Sequence, residues 1–149
     1  MPVNADAAGR AYGPFEPYEV TRVKIREFAD AVDARSGAHR SPEVARAEGY
    51  DDVVAPTTFA VVIAQQAEFH VVADPEVGVD FAKVVHADER FVHHRPLVAG
   101  DRISATVHIE KVTQRSGISM VTTRAELADA DGDPVATVTS SLAVREYAS

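Results

Sequence analysis

The stretch from Thr57 to Val72 constrains the fold of this chain more than any other. Phe59 to Ala64 is unbroken apolar sequence, and Gln65-Gln-Ala-Glu-Phe-His-Val-Val72 continues it with no turn signal inside. Its β-branched residues alone suit a strand. Strands, however, run ~4–8 residues and helices upward of ~10, so the length selects a helix. A helix apolar around its first turns has to be wrapped by other elements. The sequence that follows supplies them. Lys83 to His93 reads as a strand ended by Arg95-Pro96. Ile103, Ala105, Val107 and Ile109 alternate with Ser104, Thr106, His108 and Glu110, a period of two. Ile118 to Ala128 is a further strand. Asp131-Gly132 is a turn signal, and Val135 to Tyr147 is the last strand, with Val138, Leu142 and Val144 on one face.

The earlier part of the chain is helical after an extended arm over residues 1–16 and a short strand near Tyr18. Ile25, Phe28, Ala29 and Val32 fall on one helix face, with Thr21 as N-cap. Ser36-Gly37 breaks that helix. Ser41-Pro42 starts another, and Gly49 stops it. Helices first and antiparallel strands after give an α+β protein: one curled antiparallel sheet of about five strands around one long central helix. No repeat or linker divides residues 1–149, so a single domain is expected.

Composition removes several classes of function. There is no cysteine, hence no disulfide framework, thiolate nucleophile or cysteine metal site. The net charge is -8, from 15 basic and 23 acidic residues, which disfavours nucleic acid and anionic membrane surfaces as partners. No leader pattern opens the chain and no apolar run approaches the ~18 residues of a membrane span, so a cytoplasmic location is expected. An anionic ligand needs local cations. Arg35, Arg40 and Arg46 cluster near His39, while Arg90, Arg95 and Arg102 come later.

No metal or cofactor is expected. His93 and His94 are adjacent on a strand and point to opposite faces, while His86 and Asp88 share a face but lack a third ligand. Asp129, Asp131 and Asp133 lack the spacing of a calcium loop and read as an acidic turn. There is no Gly-x-Ser-x-Gly elbow, phosphate loop or dinucleotide fingerprint.

Four segments carry a family resemblance: Tyr18-Glu-Val with Lys24-Ile-Arg-Glu-Phe-Ala, Val53-Val-Ala-Pro-Thr-Thr-Phe59, Val84-Val-His-Ala-Asp-Glu-Arg-Phe91, and Arg95-Pro-Leu-Val-Ala-Gly-Asp101. With the histidine loop before Pro42, they resemble the MaoC-like hot-dog dehydratases. The N-terminal-type subgroup, which includes subunits of heterodimeric (3R)-hydroxyacyl-carrier-protein dehydratases, is the nearest match. The resemblance implies a hot-dog fold, a homodimer or a heterodimer with a second hot-dog subunit, and an acyl-carrier-protein or coenzyme A thioester as substrate. That family places an aspartate five residues before its histidine, as Asp-x-Asn-Pro-x-His. Here the histidine is His39 and the position five before it is Ala34.

The chemistry explains the pair. Removing water from a 3-hydroxyacyl thioester needs a base at C2 and an acid at the departing hydroxyl, and imidazole serves both roles near neutrality. By the resemblance, His39 is the catalytic histidine. Asp33, one residue before the family's aspartate position, would serve through a shifted loop, and Ser36 would hold a water where the family has asparagine. A backbone N–H of Thr57 or Thr58, at the head of the long helix, would stabilise the charge on the thioester oxygen. Pro56 has no N–H to offer.

The leading expectation is an acyl-binding subunit of an (R)-specific dehydratase whose Asp/His pair is degenerate. The alternatives are a self-sufficient homodimeric (R)-enoyl hydratase using His39, and a non-enzymatic acyl-binding hot-dog protein. A hot-dog thioesterase needs a carboxylate at the thioester carbonyl, and Glu68, the one acid in the long helix, lies too far along it.

Overall fold

Local chemistry starts and stops the helices. In the computed structural model, which describes residues 2–146, Thr21 accepts a hydrogen bond from the Lys24 N–H and opens helix α1, Arg22–Ala31. A side-chain oxygen here satisfies one of the N–H groups that every helix start leaves without a partner. Ile25 and Ala29 are buried, while Val32 falls past the last turn and is exposed. Ser41 opens the short helix α2, Pro42–Ala47, and Gly49 follows it at φ +98°, a left-handed conformation that favours glycine. The long apolar run becomes α3, Ala60–Ala73.

The strands are β1 (Ala11–Tyr12), β2 (Tyr18–Glu19), β3 (Val84–His93), β4 (Arg102–Arg115), β5 (Ile118–Ala128) and β6 (Pro134–Arg145). All pair antiparallel in the order β1-β4-β5-β6-β3, with β2 on a separate stretch of β4. The expected antiparallel sheet around one helix is therefore what forms, with six strands, and the fold is of the hot-dog type. Before β1, a 3-10 turn at Ala5–Ala7 lays Val3 and Ala7 into the core. Tyr147, to which the sequence extended the last strand, lies outside the described residues.

Period-two burial builds the core. Ile103, Ala105, Val107 and Ile109 of β4 are buried, as are Val121, Ala125 and Leu127 of β5 and Val138, Leu142 and Val144 of β6. They pack in one cluster with Ile63, Ala64, Ala67 and Val71 of α3. Each large aliphatic chain so buried contributes roughly 1.5–3 kcal/mol. Phe59, just ahead of α3, is fully buried between Phe28 and Tyr18, both edge-on at centroid distances of 5.4 and 6.5 Å. This contact ties α1 to the head of the long helix.

One register change corrects the sequence reading. A bulge between His86 and Asp88 breaks the alternation of β3, so these two residues do not share a face. Instead His86 and Glu89 turn together toward a polar inclusion beneath the sheet. Glu68 of α3 is buried there and accepts hydrogen bonds from Thr123 Oγ1 at 2.6 Å and His86 Nε2 at 3.3 Å. Ser140 donates to Glu89 at 2.7 Å. Thr123, Ser140 and Glu89 are direct cross-strand neighbours on β5, β6 and β3.

Candidate functional site

The histidine loop is fixed by how α1 ends. Val32 N–H still bonds the Phe28 carbonyl, and Ala34 N–H reaches back to Ala29 at 2.8 Å, with Asp33 between them at φ +58°. Aspartate tolerates this left-handed conformation better than most residues, so the turn closes without a glycine. Ser36 then accepts from the Ala38 N–H at 3.2 Å and caps a 3-10 turn, Gly37–His39. Ala38 and Ala45 are buried with Val54 in a small apolar cluster of their own, against Tyr50 and Val98.

Three extended segments lie side by side at this point. Val54 N–H donates to the Ala38 carbonyl at 3.0 Å, Ala55 N–H to Leu97 at 2.9 Å, and Ala99 N–H to Val53 at 2.9 Å. The loop, the approach to α3 and the stretch after β3 are thus stitched together, with an isolated bridge between Val54 and Val98. Between them opens a cavity of about 550 Å³, walled by Ala34, His39, Tyr50, Val54, Ala55, Pro56, Thr57, His93, His94, Arg95, Pro96 and Leu97. Its size suits a small-molecule ligand. None of these wall residues is an aspartate or glutamate.

His39 is held through Nδ1, which lies 2.7 Å from the Val54 carbonyl oxygen. A carbonyl only accepts, so Nδ1 carries the hydrogen and the neutral ring keeps its lone pair on Nε2. Thr57 also lines the cavity, and its N–H bonds no other group among the described residues. Thr58 does not line the cavity. Neither does Asp33, whose carboxylate grips Arg35 at 2.9 and 3.1 Å in an exposed pair. Ser36 is engaged as a cap. The structure therefore brings His39 and Thr57 to one cavity beside Ala34 and leaves Asp33, Ser36 and Thr58 out of its wall.

The arginines near the loop are committed within the chain. Arg40 bonds Asp30 at 2.8 Å, and Arg46 lies 3.7 Å from Asp52. Arg95 borders the cavity, but Asp101 at 2.9 Å and Asp129 at 3.5 Å hold its guanidinium and keep it charged, raising its pKa despite partial burial. In the sequence, His93 and His94 stand out only as metal-ligand candidates, and no local pattern marks Tyr50 or Arg95 as neighbours of His39. Their part depends on the pairing of Ala55 with Leu97, which no local pattern announces. Asp129 Oδ1 accepts from the Asp131 and Asp133 N–H groups at 3.0 Å each, the geometry of an acidic turn. Among the described residues, no helix is long and apolar enough to cross a membrane.

Comparison with known proteins places this geometry in context. The family model for the FAS1-like dehydratase domain region matches residues 6–138. A UPF0336 protein of Saccharopolyspora erythraea is 47% identical over 145 residues, covering 97% of this chain and 93% of that relative. Among solved structures, a chain of the C-terminally truncated HadBC (3R-hydroxyacyl-ACP dehydratase) complex of Mycobacterium tuberculosis is 34% identical, with a TM-score of 0.84. It covers 93% of this chain and 97% of its own. A MaoC-like dehydratase is 30% identical with a TM-score of 0.86, over 93% of this chain and 42% of the longer protein.

Proposed function

The chain belongs to the family of the FAS1-like dehydratase domain region, and from that premise we propose that it is the acyl-binding subunit of an (R)-specific 3-hydroxyacyl thioester dehydratase, with a degenerate catalytic pair. One observation carries the reading: the cavity is lined by His39, whose Nε2 bonds no group among the described residues, and by Thr57, whose N–H likewise bonds none, yet Ala34 stands where the carboxylate is needed and no acid lines the wall. The acyl thioester, on carrier protein or coenzyme A, sits against Tyr50, Val54 and Leu97, with its carbonyl oxygen at the Thr57 N–H. Proton loss from C2 puts negative charge on that oxygen, where an N–H near the positive end of α3 lowers the barrier. His39 carries one of the two protons that the reaction moves. Full-rate turnover comes from a second hot-dog subunit that carries the complete pair in its own cavity.

The free side of β3 supports such a partner. Among the described residues this ten-residue edge strand pairs with β6 alone, and it exposes Val85 at 64% and Val92 at 48%. An unpaired, partly apolar edge is a template for another strand. The test is binding of a saturated acyl coenzyme A by calorimetry, alongside hydration of crotonyl and longer trans-2-enoyl coenzyme A. Binding with turnover roughly 10²–10⁴-fold below that of a complete Asp/His dehydratase is expected, since the carboxylate of the pair is missing. Failure to bind any acyl thioester refutes the reading. Rapid turnover by the chain alone would favour a self-sufficient hydratase instead.

A further inference from the structure

The cavity that lacks a carboxylate contains two imidazoles in the same condition. His39 Nδ1 lies 2.7 Å from the Val54 carbonyl oxygen, and His93 Nε2 lies 2.7 Å from the Thr57 carbonyl oxygen. Because a carbonyl only accepts, the anchored nitrogen of each ring carries the hydrogen and the other is open to take a proton. Neither of those open nitrogens bonds another group among the described residues. The two anchoring carbonyls belong to Val54-Ala55-Pro56-Thr57, three residues apart, a span of at most ~11 Å even when fully extended. Both rings therefore grip one short segment and both border the same cavity.

His93 is held on a second side as well. Its ring lies parallel to that of Phe91, with centroids 6.2 Å apart at an interplanar angle of 4°. His94, the third imidazole in the wall, makes no side-chain hydrogen bond among the described residues. His93 is also exposed, so its proton is renewed from solvent between turnovers.

We propose that His93 is the second proton-transfer group of this cavity, standing in for the missing carboxylate, and that the pair His39 and His93 gives the chain its own slow hydration of 2-enoyl thioesters. The inference rests on the acyl-thioester reading of the cavity. In hydration, a water oxygen bonds to C3 and loses a proton to His39 Nε2. The C2–C3 π electrons shift to C2, charge passing through the thioester oxygen at the Thr57 N–H, and protonated His93 delivers a proton from Nδ1 to C2. One water is added, His39 ends protonated and His93 neutral, and exchange with solvent restores both. Dehydration runs the same steps backward.

His93→Gln separates proton transfer from support, because glutamine keeps a side-chain N–H for the Thr57 carbonyl but cannot carry the proton. The expected result is slow hydration of crotonyl coenzyme A by the unaltered chain. It should fall roughly 10²–10⁴-fold in His93→Gln, with acyl coenzyme A affinity changed less than about threefold. The pH profile should also lose one of its two limbs, since each proton-transfer imidazole contributes one limb. Turnover preserved in His93→Gln overturns the proposal, reducing His93 to a support for the helix head. A chain that binds acyl coenzyme A without any turnover also overturns it, while leaving the acyl-binding reading intact. No binding at all sinks both.

Discussion

Replacing Glu89 by glutamine should stabilise the protein at neutral pH. Glu89 sits in the polar inclusion beneath β3, its side chain 20% exposed. Oε2 accepts from Ser140, but Oε1 has neither solvent nor a hydrogen-bond partner. His86 cannot supply one. Its Nε2 is 3.8 Å away, and the single hydrogen there is directed to Glu68 at 3.3 Å. Burial pushes the Glu89 carboxyl above its ordinary 4.5, against the Ser140 hydroxyl; the Glu68 charge raises it further, His86 opposes, and Asp88 adds to the rise. The folded protein thus holds this proton to higher pH than the unfolded chain does. Below about 4.5 both states are protonated and the group costs nothing. As pH rises through 4.5 the unfolded chain ionises first, and stability falls until the folded carboxyl has ionised too. The cost is therefore larger at neutral pH than at acid pH. A buried ionised oxygen without a donor costs about 1–3 kcal/mol, so Glu89→Gln should gain roughly 1–2 kcal/mol near neutrality, or about 3–6 °C in Tm for a chain of this size. Urea unfolding from pH 4 to pH 8 measures it. The gain should vanish at the acid end. A variant less stable at pH 7, or a difference independent of pH, would refute the argument.

Two further outcomes follow from other contacts. Arg22 donates to both carboxylate oxygens of Asp52 at 2.9 Å each and, with the Val53 N–H, holds its pKa at about 2 against partial burial. That stabilisation is present above the ordinary 3.8 and is lost as pH falls through about 2, so Asp52→Asn should flatten the acid limb of a stability-against-pH curve. Gly13 stands at φ +104°, and a Cβ there would lie 2.7 Å from the Ala105 carbonyl oxygen. Gly13→Ala should cost at least about 1–3 kcal/mol by thermal or urea melting, and an unchanged melt would rule out this close approach.

The chain's own sequence determined its helices, strands and fold class because the signals are local. Thr21 and Ser41 cap the helices that their positions promise. The alternation from Ile103 to Ile109 is buried on one side, and the length of the apolar run yields α3. The family resemblance points to His39, and to Thr57 as one of two candidates for the backbone donor; both line one cavity. Composition and period carried no information about what lies opposite them. The bulge after His86 reverses the face of every later residue in β3, turning Glu89 inward and His93 toward the Thr57 carbonyl. Asp33 is kept out of the cavity wall by a left-handed turn and by Arg35, its near neighbour in the chain. Register and loop closure belong to the tertiary structure because each depends on hydrogen bonds between segments far apart in the chain, Val54 with Ala38 and Ala55 with Leu97. A one-residue shift in a strand leaves its period intact and exchanges its two faces.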